Sequence, residues 1–573
     1  MREQIEKLIK NALKNLGINE EVNFSIEHPE DFKNGDYSTN VAMVCAKKIG
    51  KNPKELAEEI AEEFKKIPTP GVGALFTPGV GIFEKIGVAG SGFINFYLSK
   101  DYYKSLLKKI IEEREKWGNN NLNSNKNILI EHSSPNLFKP FHIGHLMNNT
   151  IGESIVRLAK SSGAKVTTMT FPSDISIGIA KAIFILLEKI KEGPINVDDE
   201  IVEYGNAYVE GVKRYEADET IHGRVKEIAD NLYSKKPSDE WDMFVKCKSI
   251  NINYFEKVTN RLGSKFDYYE YESEAGIEGG LIVEDNTPKV FTKSEGAIVY
   301  IPEESRKDIN TAVFINSQGN PTYEAKDLGL LSIKFKEYKP DTSIFITDNQ
   351  QVPHFEVVLD AARKINKEWA EKSLHVSHGR MSFKGQKMAS RLGGVPIVEE
   401  VLDILADDIK KRSPDLSKEV QDMIAIAAIK FTILRSATGK DINFDPETSL
   451  SFEGDSGPYL QYTAVRANSI LEKAKESGLS PSSESNESEI YDLEKILEQF
   501  PGVIERATSE WSPHHVVGYL IFLAQTFNSW YGNTKIIDIE NPETSYRLLL
   551  TETVAQTLRN GLNLLGINTP EKM

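Results

Sequence analysis

Ile5, Leu8, Ile9, Ala12, Leu13 and Leu16 recur at three- and four-residue intervals, the spacing of one buried helix face. The pattern predicts an opening helix. A second helix is predicted over residues 53–66, with Pro53 at its start, where a missing N–H costs nothing. Glycines follow at Gly71, Gly73, Gly79 and Gly81, and residues 92–98 alternate like a strand. Residues 1–110 thus read as a small α+β domain.

After a charged stretch and an Asn-rich linker (GNNNLNSNKN), Ile128-Leu129-Ile130-Glu131 is a short strand of the fully buried type. A loop with Pro135 and Pro140 leads into a helix reaching about Ser162; Gly163 ends it, and residues 165–169 form the next strand. This β–loop–α–β order opens a doubly wound, Rossmann-type nucleotide-binding sheet. Residues 187–275 are mostly helical and read as an insertion, with strands resuming at 297–301, 311–315 and 343–347. From about residue 400 the pattern is helical, broken by a Ser/Glu-rich loop over 477–488. The expected organisation is multidomain α/β. It comprises an α+β domain (1–110), a Rossmann-type domain (120–400) with its insertion, a helical stem (401–455) and an all-α domain (456–573).

A length of 573 residues suits three or four domains, and 40% hydrophobic with 27% charged residues is ordinary for a globular protein. The net charge of −16 disfavours non-specific binding to DNA, yet leaves room for a basic path to one RNA. No apolar run is long enough to span a bilayer, and the first helix is acidic rather than a signal peptide. Cys45 and Cys247 lie far apart and outside any metal-like spacing, so a reducing compartment, by default the cytoplasm, is expected, with no structural zinc.

Two segments carry chemistry. In the first, Glu131-His132-Ser133-Ser134-Pro135-Asn136-Leu137-Phe138-Lys139-Pro140-Phe141-His142-Ile143-Gly144-His145, two histidines three apart share a helix face between a strand and a helix start. Such a pair alone reads as a zinc pair or as surface histidines. At this position it reads as two donors for the phosphates of ATP, with Gly144 letting an adenine approach the backbone. The second, Lys387-Met388-Ala389-Ser390-Arg391, is flanked by Gly385, Gly393 and Gly394. Alone it is a solvated turn; paired with the first, it is a loop able to close over a triphosphate.

The two together match the signatures of class I aminoacyl-tRNA synthetases, and the chain resembles the arginyl-tRNA synthetase family over nearly its whole length. The family's S-S-P-N-x-x-K-P-x-H-x-G-H-L pattern stands at residues 133–146. Gly35-Asp36-Tyr37-Ser38-Thr39-Asn40 resembles its N-terminal domain. Ala207-Tyr208-Val209-Glu210-Gly211 and Phe266-Asp267-Tyr268-Tyr269 resemble its insertion. Residues 451–462 (SFEGDSGPYLQY) and 558–573 resemble its anticodon-binding domain.

The resemblance implies ATP-dependent activation of L-arginine, with ATP entering as its Mg2+ complex, and transfer to the terminal 2′-OH of tRNA(Arg), which binds before arginine is activated. It implies phosphate stabilisation by His142, His145, Lys139 and Lys387, and ATP contacts from Gly144, Met388, Ser390, Arg391 and both histidines. A guanidinium needs planar carboxylate acceptors, and the resemblance places arginine against Glu131, Asn136, Tyr323, Asp327 and Gln351. For tRNA it points to Tyr37, Asn40, Tyr462, Arg466, Trp530, Tyr531, Arg559 and Met573. Tyr37, Trp530 and Tyr531 read equally as core, Asn40 as a capping residue and Arg559 as a solvated charge. A monomer is implied.

Departures from the family pattern are Ala389 for a serine, Leu392 for a cation, and Pro172-Ser173-Asp174-Ile175-Ser176 where the family has G-D-W-G. Lys139 is the candidate to supply the missing positive charge. The alternative reading is a tRNA-binding paralogue without catalysis, which would be expected to lose His142, His145 or Lys387; all three are present.

Overall fold

The computed structural model describes residues 1–19, 22–66, 81–192, 200–384, 396–484 and 489–573. Lys387, Met388, Ala389, Ser390, Arg391 and Leu392 lie outside these residues. The chain divides into two compact units, one made of residues 1–117, 463–500 and 522–558, the other of residues 118–462, 501–521 and 559–573.

In the first unit, helix Arg2–Asn15 buries Ile5, Leu8, Ile9, Ala12 and Leu13, as its spacing predicts. A four-stranded antiparallel sheet runs in the order Ile26–Glu27, Tyr37–Thr39, Phe93–Leu98, Phe83–Ala89. The interior is also polar. The Tyr37 hydroxyl donates to Glu498 (2.6 Å), the Tyr103 hydroxyl to Asp36 (2.7 Å), and Lys100 pairs with Glu494 at 2.9 Å. Each buried carboxylate therefore has a donor, which such a position demands.

The second unit is built on a five-stranded parallel sheet in the order Ser373–His378, Thr342–Asp348, Asn127–Glu131, Lys165–Thr170, Tyr268–Tyr269. Asn127–Glu131 is central and hydrophobic, and helix Ile143–Ser161 crosses from it to Lys165–Thr170. The chain leaves the central strand toward one edge and returns on its other side. This makes the carboxyl end of Asn127–Glu131 a topological switch point, where open α/β sheets leave a crevice.

Three details differ from the sequence reading. Residues 268 and 269, expected within the insertion, form the edge strand beside Lys165–Thr170. The strands near 300 and 313 join Phe291–Ser294 in a separate three-stranded antiparallel sheet. Helix Ile177–Glu192 packs its Ile179, Ile183 and Leu186 with Tyr204, Val225, Leu232 and Phe244 of the following helices, so the helical layer begins before residue 187.

Helices Glu272–Asp285 and Tyr323–Ile333 cross at backbone contact. A Cβ at Gly279 would lie 1.8 Å from the Ala325 carbonyl oxygen, and one at Gly329 would lie 1.9 Å from that of Ala275. Only glycine permits this approach, which brings Glu272 of one helix to Lys326 of the other (2.9 Å). Among the described residues, no helix is long and apolar enough to cross a membrane.

Candidate active site

The helix after the central strand is capped by the paired histidines themselves. His142 is the N-cap: its Nδ1 accepts from the Gly144 N–H (3.1 Å), while the His145 Nδ1 accepts from the His142 N–H (3.2 Å). The rings stack with centroids 3.8 Å apart and planes 19° apart. Because each Nδ1 is an acceptor, the ring proton of each neutral imidazole sits on Nε2. Burial and then Lys139 lower the pKa of His142; burial, His142 and Lys139 hold His145 well below the imidazole range. The pair thus presents two Nε2–H donors at the positive end of a 19-residue helix, where anions bind. A Cβ on Gly144 would lie 3.0 Å from Cε1 of His142, so this glycine makes room for the folded-back ring.

The loop leading to the pair is held in a strained shape. Ser133 and Phe138 have φ of 60° and 66°, in the left-handed region that non-glycine residues rarely adopt. Their N–H groups donate to Asn148 Oδ1 (2.7 Å) and Asn251 Oδ1 (2.9 Å), which fixes the loop at both points. Lys139, half-buried, places its Nζ 4.6 Å from the centre of the Tyr208 ring.

The arginine-site candidates follow the carboxyl ends of the parallel strands or flank them. Glu131 ends the central strand; it is ion-paired with Lys334, and Ser134 Oγ donates to its other oxygen at 3.4 Å. Asn136 is exposed and bridges its backbone to Ser173. Gln351 is exposed in the turn after Thr342–Asp348. Tyr323 is 61% exposed at the start of its helix, and Asp327, one turn later, accepts from His354 Nε2 at 2.6 Å.

Sequence reasoning missed Glu272. Its carboxylate is 9% exposed, accepts from Ser173 Oγ and Lys326 Nζ (both 2.9 Å), and is raised in pKa by burial against the pull of Lys326. The signal was hidden: three acids alternate with a tyrosine and a serine over residues 270–274, and only the helix crossing picks the inward one. The segment that departs from the family pattern is well anchored. Asp174 accepts from the Ser273 N–H and Oγ (3.0 and 2.8 Å) and pairs with Lys248 at 2.9 Å.

The RNA candidates fare unevenly. Tyr37 is buried, 5% exposed and bonded to Glu498, which is the core placement that the sequence left open beside an RNA contact. Asn40 is half-buried and accepts from the Ser25 N–H (2.9 Å); its side chain does not cap the helix it precedes. Arg466 donates to Asn528 (2.5 Å) and lies 5.4 Å from the centre of the 42%-exposed Tyr531 ring. Trp530 packs half-buried against Tyr491 and Phe527. Tyr462 lies edge-on to Phe452, and Tyr462, Arg559 and Met573 are half-buried.

Three family models match in tandem. They are the arginyl-tRNA synthetase N-terminal domain over residues 3–98, the class I (R) tRNA synthetase catalytic domain over 106–445, and the DALR anticodon-binding domain over 460–573. Arginine–tRNA ligases of Clostridium perfringens and Clostridium acetobutylicum are 30% and 31% identical, with 96% of each chain covered in both comparisons. The Thermus thermophilus arginyl-tRNA synthetase structure superposes with a TM-score of 0.77 at 25% identity, covering 100% of both chains. The Plasmodium falciparum arginyl-tRNA synthetase, at 23% identity and TM-score 0.77 over 100% of this chain and 99% of that one, shares the fold. With its strand-end acids, its histidine-capped helix and all three domain models in order, the chain belongs to the arginyl-tRNA synthetase family.

Proposed function

We propose that the chain activates L-arginine with ATP and esterifies it to the 2′-OH of the terminal adenosine of tRNA(Arg). The observation that carries this reading is the pair of Nε2–H donors at one helix N-terminus, in a unit that also gathers Glu272, Tyr323 and Asp327 on two crossing helices.

In the first step an arginine carboxylate oxygen attacks the α-phosphorus of ATP. A P–O bond forms to the amino acid, and the bond to pyrophosphate breaks. His142 and His145 donate to the phosphate oxygens as charge builds there, and Lys139 adds positive charge. Lys387, Met388, Ser390 and Arg391 are assigned to closing over the triphosphate on the resemblance alone. ATP enters as its magnesium complex, which offsets the charge of the departing pyrophosphate. In the second step the tRNA 2′-OH attacks the carbonyl carbon of the mixed anhydride and AMP leaves. No side chain acts as a covalent nucleophile; positioning supplies the rate.

Tyr323, Asp327 and Glu272 take the guanidinium, while Glu131, Asn136 and Gln351 hold the α-amino and carboxylate end. Residues 1–110 and 456–573 serve the tRNA, with Arg466, Trp530, Tyr531, Tyr462, Arg559 and Met573 on the anticodon side. We read the enzyme as a cytoplasmic monomer. ATP–pyrophosphate exchange tests the function: it should require both arginine and tRNA, and should fail with lysine or citrulline. Retained tRNA binding with no exchange for any amino acid would overturn it.

A further inference from the structure

We infer that His354 sets the discrimination of the arginine site against other cations, by neutralising and orienting Asp327. This rests on the proposed assignment of Asp327 to the guanidinium. His354 stands in the first turn of helix Val352–Ile365, just after Gln351. Its Nε2 lies 2.6 Å from Asp327 Oδ2 and its Nδ1 lies 3.6 Å from Glu324 Oε1. Both acids come from the first turns of helix Tyr323–Ile333. From strand Ser373–His378 the facing group is His375, whose Nε2 is held by Thr347 Oγ1 at 2.7 Å.

A ring with a carboxylate at each nitrogen is satisfied only when both nitrogens carry protons. Burial alone would lower the His354 pKa, but its bond to Asp327 and the nearby Glu324 carboxylate outweigh burial and hold it at about 9. Burial and the nearby His354 and His378 push His375 the other way, to about 4, so it stays neutral. Of the two histidines, the one that touches the acids is the charged one.

The consequence concerns selectivity. Glu272, Glu324 and Asp327 without internal cations would attract any positive ligand. Lys326 answers Glu272, and His354 answers Asp327 and Glu324. A compact, strongly hydrated ammonium needs local negative charge to repay its desolvation, and the balanced pocket withholds it. A planar, weakly hydrated guanidinium can still bond Asp327 Oδ1, left open by His354, together with Glu272. The imidazolium is thus the repulsive element against an ammonium.

The test compares wild type with His354→Gln, which removes the charge, His354→Lys, which returns one, and Glu324→Gln, which removes the second acid. The readouts are the arginine KM and kcat in tRNA-dependent exchange and the inhibition constants of lysine and of neutral citrulline. For His354→Gln, lysine is expected to bind about tenfold tighter, the scale of one charge-assisted bond. The arginine KM should move by less than about threefold and citrulline should not move. His354→Lys should restore rejection of lysine, and Glu324→Gln should strengthen it.

Lysine and arginine constants that move together, or a lysine constant unmoved in both glutamine variants, would overturn the inference and leave His354 a packing residue. If His354→Gln does not fold, Glu324→Gln decides by the same criterion. Wild type that activates no arginine would sink the functional reading instead, so the two failures are distinguishable.

Discussion

His142 and His145 lie face to face, 3.8 Å apart, and each has committed its Nδ1 to a backbone N–H at the start of the helix they serve. On the proposed reading, capping and phosphate binding therefore use opposite edges of the same rings. Asparagine at either position keeps a polar cap but loses the aimed Nε2–H. The exchange rate should fall roughly 10²–10³-fold, with tRNA affinity unchanged in a filter-binding assay. The double variant should lose far less than the product of the singles, because each ring fixes the other.

The same pair makes a pH prediction. Both imidazoles are held below their ordinary range by burial first. Protonating either Nδ1 would break its cap. The kcat of exchange should stay level as pH falls through about 6.5, the ordinary imidazole value, and decline only below it. A midpoint at or above that value would place the proton on the wrong nitrogen.

Asp327→Asn keeps the volume but replaces a charged acceptor with an amide. On the proposed assignment, arginine kcat/KM should drop by about 10³–10⁴, read in steady-state aminoacylation, since the guanidinium is then left short of an acceptor. Glu272→Gln should show a loss of the same kind, which would establish the acid the sequence concealed.

At the helix crossing, alanine at Gly279 or Gly329 puts a carbon within 2 Å of a carbonyl oxygen (1.8 and 1.9 Å). Each variant should lose stability at or beyond the upper end of about 1–3 kcal/mol for overpacking, seen as a lower thermal midpoint. Gly280→Ala is the control, because its Cβ would meet Pro321 at an ordinary 3.5 Å.

In the first unit, burial raises the Glu498 carboxyl to about 7, against the opposing pull of the Tyr37 hydroxyl. The folded form therefore holds a proton that the unfolded chain releases near its ordinary pKa of about 4.3. By linkage, stability falls as pH rises between those two values. Glu498→Gln should flatten that slope, so that urea midpoints of the variant gain on wild type from pH 5 to pH 8. An unchanged slope would mean that Glu498 is ionised in the fold.

The central strand, the histidine motif and the one-turn spacing of Tyr323 and Asp327 were legible because each is a local pattern. What a local pattern does not carry is its partner. The apolar runs near residues 299 and 313 look like those of the parallel sheet, yet they pair antiparallel elsewhere. Strand Ser373–His378 was passed over because two histidines and two serines leave it little apolar signal at a sheet edge. Glu272 and His354 owe their positions to the crossing of helices and to a turn between strand and helix, and spacing along one segment does not encode either. Tyr37 was left open between two readings for the opposite reason: its motif is legible, but its hydroxyl bonds an acid far along the chain.

That acid, Glu498, is 461 residues downstream of Tyr37. On a ribosome adding about 5–20 residues per second, the two are born roughly 25 to 90 s apart. For that interval the nascent N-terminal segment carries the Tyr37 ring without the carboxylate that accepts from it. Holding that segment out of aggregates while the rest of the chain is made is a task that falls to the cell.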